Sequence, residues 1–328
     1  MINAHAPFWS VMMPVYRPDA HYFRLALEGL LQQDEGLERM QIEVVDDCSP
    51  DGDVERLVRE IGGNRVAFSQ TPQNLGLAGC WNTCIDRARG KWVHLLHQDD
   101  LVLPGFYKAL AKVDASPENV GAAFCRHAWC DGDGKRSRVS QLHLEHAGIL
   151  NEFMNLIASQ QRIQTPSVVV RRQVYEQLGG FRIDLGYTLD WEMWQRIGSK
   201  YPIWFEPEIR AVYREHRGAE TSRIRRSVGF GREYLKIFGI VGGYHLGESK
   251  KFISKGRKTY AVVTVQEARD LLVGGKWGTA FQELIAAFKL GFSMELVKEF
   301  LSFIWLWIKL LWVWLRLTFF RNAQPAKS

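Results

Sequence analysis

Ile42-Glu43-Val44-Val45-Asp46-Asp47-Cys48-Ser49-Pro50-Asp51-Gly52 passes from a largely apolar run through paired carboxylates into a turn. The run reads as a strand, Ser49-Pro50-Asp51-Gly52 as the turn, and Val54, Leu57, Val58 and Ile61 as one face of a short helix. Upstream, residues 10–15 predict a buried strand, and residues 19–33 place Phe23, Leu27, Leu30 and Leu31 at helical spacing behind a Pro18-Asp19 start signal. Downstream, Val66-Ala67-Phe68 is a third strand, residues 77–88 a helix and residues 91–96 a fourth strand running into Asp99-Asp100. Such alternation over about a hundred residues predicts parallel βαβ units with right-handed crossovers. Ligands of open α/β sheets gather at the carboxyl ends of the strands, so two Asp pairs there mark a site for a nucleotide, a divalent metal or both. Much later, Leu189-Asp190-Trp191-Glu192 brings a carboxylate able to act as a base.

Residues 120–129 and 167–170 read as further strands around a helical stretch near 150–158, and a helix starts at Asp190. These should complete the sheet and wall off the second half of the pocket. From Tyr234 onward helices dominate. The 328 residues, 46% of them hydrophobic, suffice for one large or two modest domains. Five cysteines and no secretory pattern in residues 1–11 predict a reducing, cytoplasmic setting. The spacings of Cys80 and Cys84, and of Cys125 and Cys130, are not those of metal pairs and suit small buried side chains. The net charge of +6 is unevenly spread, with Arg210, Arg214, Arg217, Arg223, Arg225, Arg226, Arg232 and Lys236 followed by Lys250, Lys251, Lys255, Arg257 and Lys258. Such a run suits a lipid surface, a pyrophosphate or a nucleic acid, with a solvated basic face as the alternative.

Residues 294–321 are densely aromatic, with Trp305, Trp307, Trp312 and Trp314 among Phe, Leu, Ile and Val. Ser302, Lys309 and Arg316 recur every seven residues and form one narrow polar stripe on a helix. Three burials fit: a membrane span, a helix lying in the membrane interface, or packing on protein. A span would set Lys309 near the bilayer centre at a cost of about 2.5–3.5 kcal/mol. The interface avoids that cost, because the cations snorkel and the indoles sit at the boundary. An amphipathic membrane-associated helix over 294–321 is therefore expected.

Ser10-Val11-Met12-Met13-Pro14-Val15-Tyr16, Glu43 to Gly52, Asn74-Leu75-Gly76-Leu77-Ala78, Asp99-Asp100 and Asp190-Trp191-Glu192 occur in the order seen in family 2 glycosyltransferases, which the chain resembles over residues 9–220. The resemblance implies an α/β fold of the GT-A type, a Rossmann-like, mostly parallel sheet flanked by helices. It implies donor-nucleotide contacts from Pro14, Tyr16, Asp47, Asn74, Gly76 and Asp99, with Tyr16 against the base and Asp47 accepting from the N3–H of uracil or thymine. For Asp46-Asp47 a turn and helix cap is the competing reading.

Asp100 is implied as the primary ligand of Mn2+ or Mg2+, with His216 a further ligand and Arg214 a diphosphate contact. His97 departs from the pattern, standing where a further Asp is common. Asp190 is the implied general base of an inverting transfer, with Glu192 as runner-up and Trp191 beside the acceptor. Thr165-Pro166-Ser167 and Gly179-Gly180-Phe181 are expected to shape the acceptor side, and residues 218–226, with Thr221 and Ser222, to form a lid.

The expected organisation is a catalytic domain over 1–230, a helical linker region over 231–293 and the membrane-associated helix over 294–321. The expected activity is metal-dependent transfer of a hexosyl or deoxyhexosyl group from a nucleotide sugar, UDP or dTDP rather than GDP, to a saccharide hydroxyl on a polyprenyl carrier. Its setting is bacterial polysaccharide assembly at the cytoplasmic face of the inner membrane. A nucleic-acid partner leaves the Asp pairs unexplained. An inactive sugar-binding scaffold of the same fold and a nucleotidyltransferase are the alternatives, the latter disfavoured because no N-terminal G-x-G-x-x-G occurs.

Overall fold

The computed structural model describes residues 6–322 except Asp51, Pro117, Arg217, 220–222 and 224–229, with backbone alone beyond Arg316. The chain forms two compact units, Met1–Arg217 and Gly218–Ser328. In the first unit β1 (Trp9–Val15), α1 (Ala20–Leu31), β2 (Met40–Asp46), α2 (Val54–Gly62), β3 (Ala67–Gln70), α3 (Gly76–Arg87) and β4 (Trp92–Leu95) alternate as the sequence predicts. β5 (Leu101–Val102), α4 (Phe106–Leu110), β6 (Ala122–Cys130), β7 (Arg136–Val139) and β8 (Gly148–Ile149) follow, then α5 (Phe153–Ala158), β9 (Val168–Arg171), α6 (Arg172–Leu178), α7 (Leu189–Gly198) and β10 (Ile203–Arg214).

Every residue of β1 and β2 is buried; β1 is apolar apart from Ser10, whereas β2 alternates through Gln41 and Glu43, which are buried with Ser10, Ser69 and Arg87 as hydrogen-bond partners. α1 starts where Asp19 accepts from the amides of His21 and Tyr22, and it buries Phe23, Ala26, Leu27 and Leu30 on one face. α2 starts likewise at Asp53, whose carboxylate accepts from Arg56 N. The strand order is β3-β2-β1-β4-β9-β6-β10-β5, with β7 beside β6 and β8 beside β10. β1 to β4 are mutually parallel, whereas β9 runs antiparallel to both β4 and β6 and makes the second half of the sheet mixed.

The order reverses at β1, which has β2 on one side and β4 on the other. That is a topological switch point, and the two strands part there. Leu96 N donates to Met12 O at 3.0 Å near the end of the β1–β4 ladder, while Asp47 N still reaches Val15 O at 2.8 Å on the β2 side. Pro14 therefore faces the side from which β4 has withdrawn, where a missing N–H is least costly.

At the opposite end of this ladder Ser10 Oγ accepts from the amides of Arg89 and Gly90 and donates to Gln41 Oε1 at 2.6 Å. Gly90 is packed so closely that a Cβ would lie 2.5 Å from Ser10 N and from Trp9 C.

The second unit contains α8 (Gly231–Val241), α9 (Ser249–Val273), α10 (Trp277–Leu290) and α11 (Met294–Asn322). Phe238, Val265, Leu284, Leu296 and Phe303, drawn from all four helices, are buried in this unit. Buried Glu283 of α10 accepts from the amides of Phe230 and Gly231 and so caps α8. α11 packs one side inward, with Phe303 and Trp307 against Phe281 and Phe300 against Phe288, and it leaves Trp305, Ile308 and Trp312 exposed. Among the described residues no helix is long and apolar enough to cross a membrane.

Replacing Gly90 by Ala forces backbone apart at the β1–β4 junction, and the expected loss is about 1–3 kcal/mol. Thermal unfolding measures it as a midpoint lowered by several degrees; an unchanged midpoint contradicts the close packing described.

Candidate active site

The loops that leave β1, β2, β3, β4, β6 and β10 at their carboxyl ends share one edge of the sheet, and β9 contributes its amino end there because it runs the other way. The expected site residues Tyr16, Asp47, Asn74, Gly76, Asp99, Asp100, Arg214 and His216 all lie in or next to these loops. Asp190, at the start of α7, is tied to the same edge through Thr165, just before β9.

Asp47 is buried. Its Oδ1 accepts from Leu75 N at 2.8 Å and Thr71 Oγ1 at 3.1 Å, and its Oδ2 from Gly76 N at 2.9 Å. Asn74 Nδ2 adds a bond to Asp47 O at 3.1 Å. Asp47 thus holds the amides at the start of α3 from a distant loop and locks the two loops into one piece. Gly76 takes a φ of 72°, a left-handed conformation that favours glycine. Asp46 is occupied by Ser49 and Gln70. Tyr16 leaves its ring 40% exposed beside the gap between β1 and β4.

Sequence reasoning did not find Gln98. Its side-chain amide accepts from Tyr16 N at 2.9 Å and donates to Tyr16 O at 3.2 Å, closing the loops after β1 and β4 on each other. A lone Gln between strand-end loops carries no signal in a single sequence.

Asp100 is fully buried, with Oδ1 accepting from Arg214 N at 2.9 Å and Oδ2 3.2 Å from His97 Nδ1. Burial pushes its carboxyl up, against the pull of His97. Burial opposes charge on His97 as well, but the hydrogen bond and charge of Asp100, with Asp99 and Asp190 behind, raise its pKa. The imidazole stacks on Trp81 at 4.8 Å, and its buried Nε2 has no hydrogen-bond partner among the described residues.

Asp99 is the more accessible carboxylate of the pair, and its Oδ2 lies 2.8 Å from His216 Nε2. His97, Asp99 and Asp100 offer ligand atoms within 4.8 Å of one another. Imidazole nitrogen and carboxylate oxygen are both ligand types for a small divalent cation, so the residue chemistry fits one, and His216 lies beside the group, hydrogen-bonded to Asp99 at 2.8 Å. Asp100 has both carboxylate oxygens engaged, by Arg214 N and His97 Nδ1.

Asp190 Oδ1 accepts from Trp191 N at 2.6 Å and Oδ2 from Thr165 Oγ1 at 3.3 Å. Burial raises its pKa to about 6, offset in part by Trp191 N–H, the charge of His97 and hydrogen bonds from Gln161 and Thr165. Asp190 and Asp100 are therefore both in electrostatic reach of one imidazole.

Three expected contacts are corrected. Trp191 is buried and donates its indole N–H to Ile157 O at 2.8 Å, so it packs α7 onto the core. Glu192 is fully buried against Arg196 at 2.9 Å, and Arg196 also binds the carbonyls of Leu178 and Gly180; this pair fastens the 179–181 segment and faces no acceptor. Arg214 is 3% exposed, donates to Asp99 O, Asp131 O and Gly132 O, and lays its guanidinium over the Tyr22 ring at 4.7 Å. In this arrangement it is an internal strut, its guanidinium engaged by backbone carbonyls. The lid expected over 218–226 falls largely on residues outside those described, Thr221, Ser222, Arg225 and Arg226 among them.

Residues 10–179 match the family described as Glycosyl transferase family 2. The fold is of the GT-A type, and the chain belongs to glycosyl transferase family 2. It is 31% identical over 243 residues to an uncharacterized protein of Mycobacterium tuberculosis, an alignment covering 69% of this chain and 74% of the relative. It is 40% identical over 79 residues to the succinoglycan biosynthesis protein ExoO of Rhizobium meliloti, which covers 24% of this chain and 22% of that one.

Among solved structures, Staphylococcus aureus TarS 1–349 in complex with UDP-GlcNAc superposes with a TM-score of 0.65 at 18% identity, covering 85% of this chain and 81% of TarS. The mannosyltransferase PcManGT of Pyrobaculum calidifontis in complex with GDP-Man and Mn2+ does so at 0.53 and 21%, covering 87% and 86%. At these identities the structural likeness concerns the fold alone.

If Arg214 is a strut, Arg214→Lys loses stability by on the order of 2–4 kcal/mol, since three carbonyls lose their donors. Denaturant midpoints test this; unchanged stability with a raised donor KM would restore the diphosphate contact.

Proposed function

We propose that this chain is a metal-dependent inverting glycosyltransferase. It moves a hexosyl or deoxyhexosyl group from UDP- or dTDP-sugar to a hydroxyl of a polyprenyl-linked saccharide. The work is done at the cytoplasmic face of a bacterial inner membrane, in polysaccharide assembly. The observation that carries the reading is the convergence of Asp190, with a pKa near 6, and the Asp99–His216 pair on one sheet edge at the switch point. The biosynthetic setting of ExoO and the sugar nucleotides held by TarS and PcManGT support the choice of substrate class.

In this reading the base of the donor nucleotide stacks on Tyr16, and the rigid Asp47–Gly76 lock presents the remaining carboxylate lone pair to its N3–H. Asp99 and His216 hold Mn2+ or Mg2+, and the bound cation would supply positive charge to the departing diphosphate. Asp100 and Arg214 keep those ligands in place. Asp190 takes the acceptor hydroxyl proton as the oxygen attacks the anomeric carbon. The new C–O bond forms as the bond to the diphosphate breaks on the opposite face, inverting the configuration.

Asp190 must be ionised to act, so kcat/KM rises with pH up to about 6 and is level above. The same raised pKa means that the folded state holds this proton more tightly than the unfolded chain, so ionisation costs stability as pH rises from about 4 to about 6. Asp190→Asn should therefore lose 10²–10⁴-fold in kcat yet be no less stable at pH 8. Release of nucleoside diphosphate measures the rate, and chelation of metal should abolish it in the unaltered chain. A profile flat down to pH 5, or near-normal turnover in Asp190→Asn, contradicts the assignment.

A further inference from the structure

α10 and α11 form an antiparallel hairpin joined by residues 291–293: Phe288 meets Phe300 at 5.1 Å, and Phe281 meets Trp307 at 5.7 Å. The inner side of each helix is spent on the core of the second unit. The outer sides are not. Phe281, Ile285, Phe288 and Phe292 recur along α10 and its turn at helical spacing, with Ile285 58% and Phe292 64% exposed. Leu301, Trp305, Ile308 and Trp312 do the same along α11, all more than half exposed. The α10 row meets α11 through Phe300 and Trp307, on the inward side of that helix, so the two exposed rows run along neighbouring helices. Scattered apolar residues are ordinary on a protein surface, but two rows of large apolar side chains on neighbouring helices, an apolar strip along each, are the mark of an interaction face.

The charge beside the strip has one sign. Lys289, Lys298, Lys309 and Arg316 are exposed there, whereas Glu295 is the sole exposed acid of the two helices among the described residues. Two of the cations stand over indoles of the strip itself, Lys309 Nζ 3.5 Å from the Trp305 ring centre and Arg316 Cζ 3.6 Å from that of Trp312. Glu299, the other acid of α11, is engaged by Arg269 at 3.1 Å and Gln266 at 3.2 Å.

We infer that the outer face of the α10–α11 hairpin is a docking surface for a bilayer rich in anionic phospholipid, which binds without being crossed. Apolar side chains enter the acyl boundary, indoles lie at headgroup level, and the lysines and arginine reach lipid phosphates. The inference deepens the localisation proposed above, making the anchor two helices instead of one and naming the lipid charge it needs. A second copy of the chain is a poorer occupant. A two-fold contact would set this cationic edge against itself, and the cores of protein interfaces are depleted of charge.

The test uses the full chain with vesicles of phosphatidylcholine alone and of phosphatidylcholine mixed with phosphatidylglycerol, read by flotation and by tryptophan emission. Binding is expected to the mixed vesicles, with a blue-shifted emission and a steep decline in high salt. Each cation removed should lower partitioning about fivefold, so the Lys298→Ala, Lys309→Ala, Arg316→Ala triple variant loses roughly a hundredfold. Trp305→Ser with Trp312→Ser should remove the emission shift and most of the binding.

Equal binding to both vesicle types without salt dependence overturns the inference. So does a chain that ignores vesicles but sediments as a dimer dissolved by the two Trp substitutions. Metal-dependent nucleoside diphosphate release, measured on the same samples without vesicles, should be the same in all of these variants. Failure to bind lipid therefore speaks against the docking face, whereas absence of release in the unaltered chain speaks against the transfer reading.

Discussion

The site depends on one buried carboxylate. Asp100 accepts from the backbone of Arg214, 114 residues away in sequence, and pairs with His97 on its own loop. Removing a partner from a buried charge of this kind typically costs about 3–5 kcal/mol, so the junction holds the ends of β4 and β10 together with little freedom. Asp99 and His216 face each other because they are the residues just beyond it. The Arg214 side chain extends the junction to the β6–β7 turn through Asp131 O and Gly132 O. What lies in the loops is thus a rigid framework, in which the more accessible groups are Asp99, His216, Asp190 and the Tyr16 ring.

The parting of β1 and β4 makes room for that framework. Pro14 suits the vacated side of β1, and Gln98 spans the gap by binding both backbone groups of Tyr16. The antiparallel β9 then brings the 165–167 turn to the carboxyl end of β4, where His94 Nε2 lies 3.0 Å from Pro166 O. Through Thr165 this turn meets Asp190, so a residue far along the chain joins a site begun by β1.

Much of this was legible in the sequence, and the reasons are specific. β1 is buried throughout and reads as a nearly unbroken apolar run, and Asp19 announces its helix by capping it. The direction of β9 was not legible, because Val168-Val169-Val170 is apolar whichever way it runs. The inward turn of Arg214, Trp191 and Glu192 was not legible for a shared reason: type and spacing show that a residue lies at a loop or helix start, not which way its side chain turns. In α7 consecutive residues diverge by about 100° on the helix, so Asp190 meets the site while Trp191 and Glu192 enter the core. For α11 the sequence showed an almost wholly apolar circumference; packing divides it between a core side and an outer side, which periodicity could not apportion.

Pulsed EPR of Mn2+ bound to the full, metal-free chain in the presence of UDP tests the central arrangement most directly. The account predicts a coupling from a directly bound histidine nitrogen that disappears in His216→Gln, with the Mn2+ affinity of Asp99→Ala greatly reduced. A bound Mn2+ showing no nitrogen coupling, or one indifferent to both substitutions, would contradict a cation site built from the ends of β4 and β10.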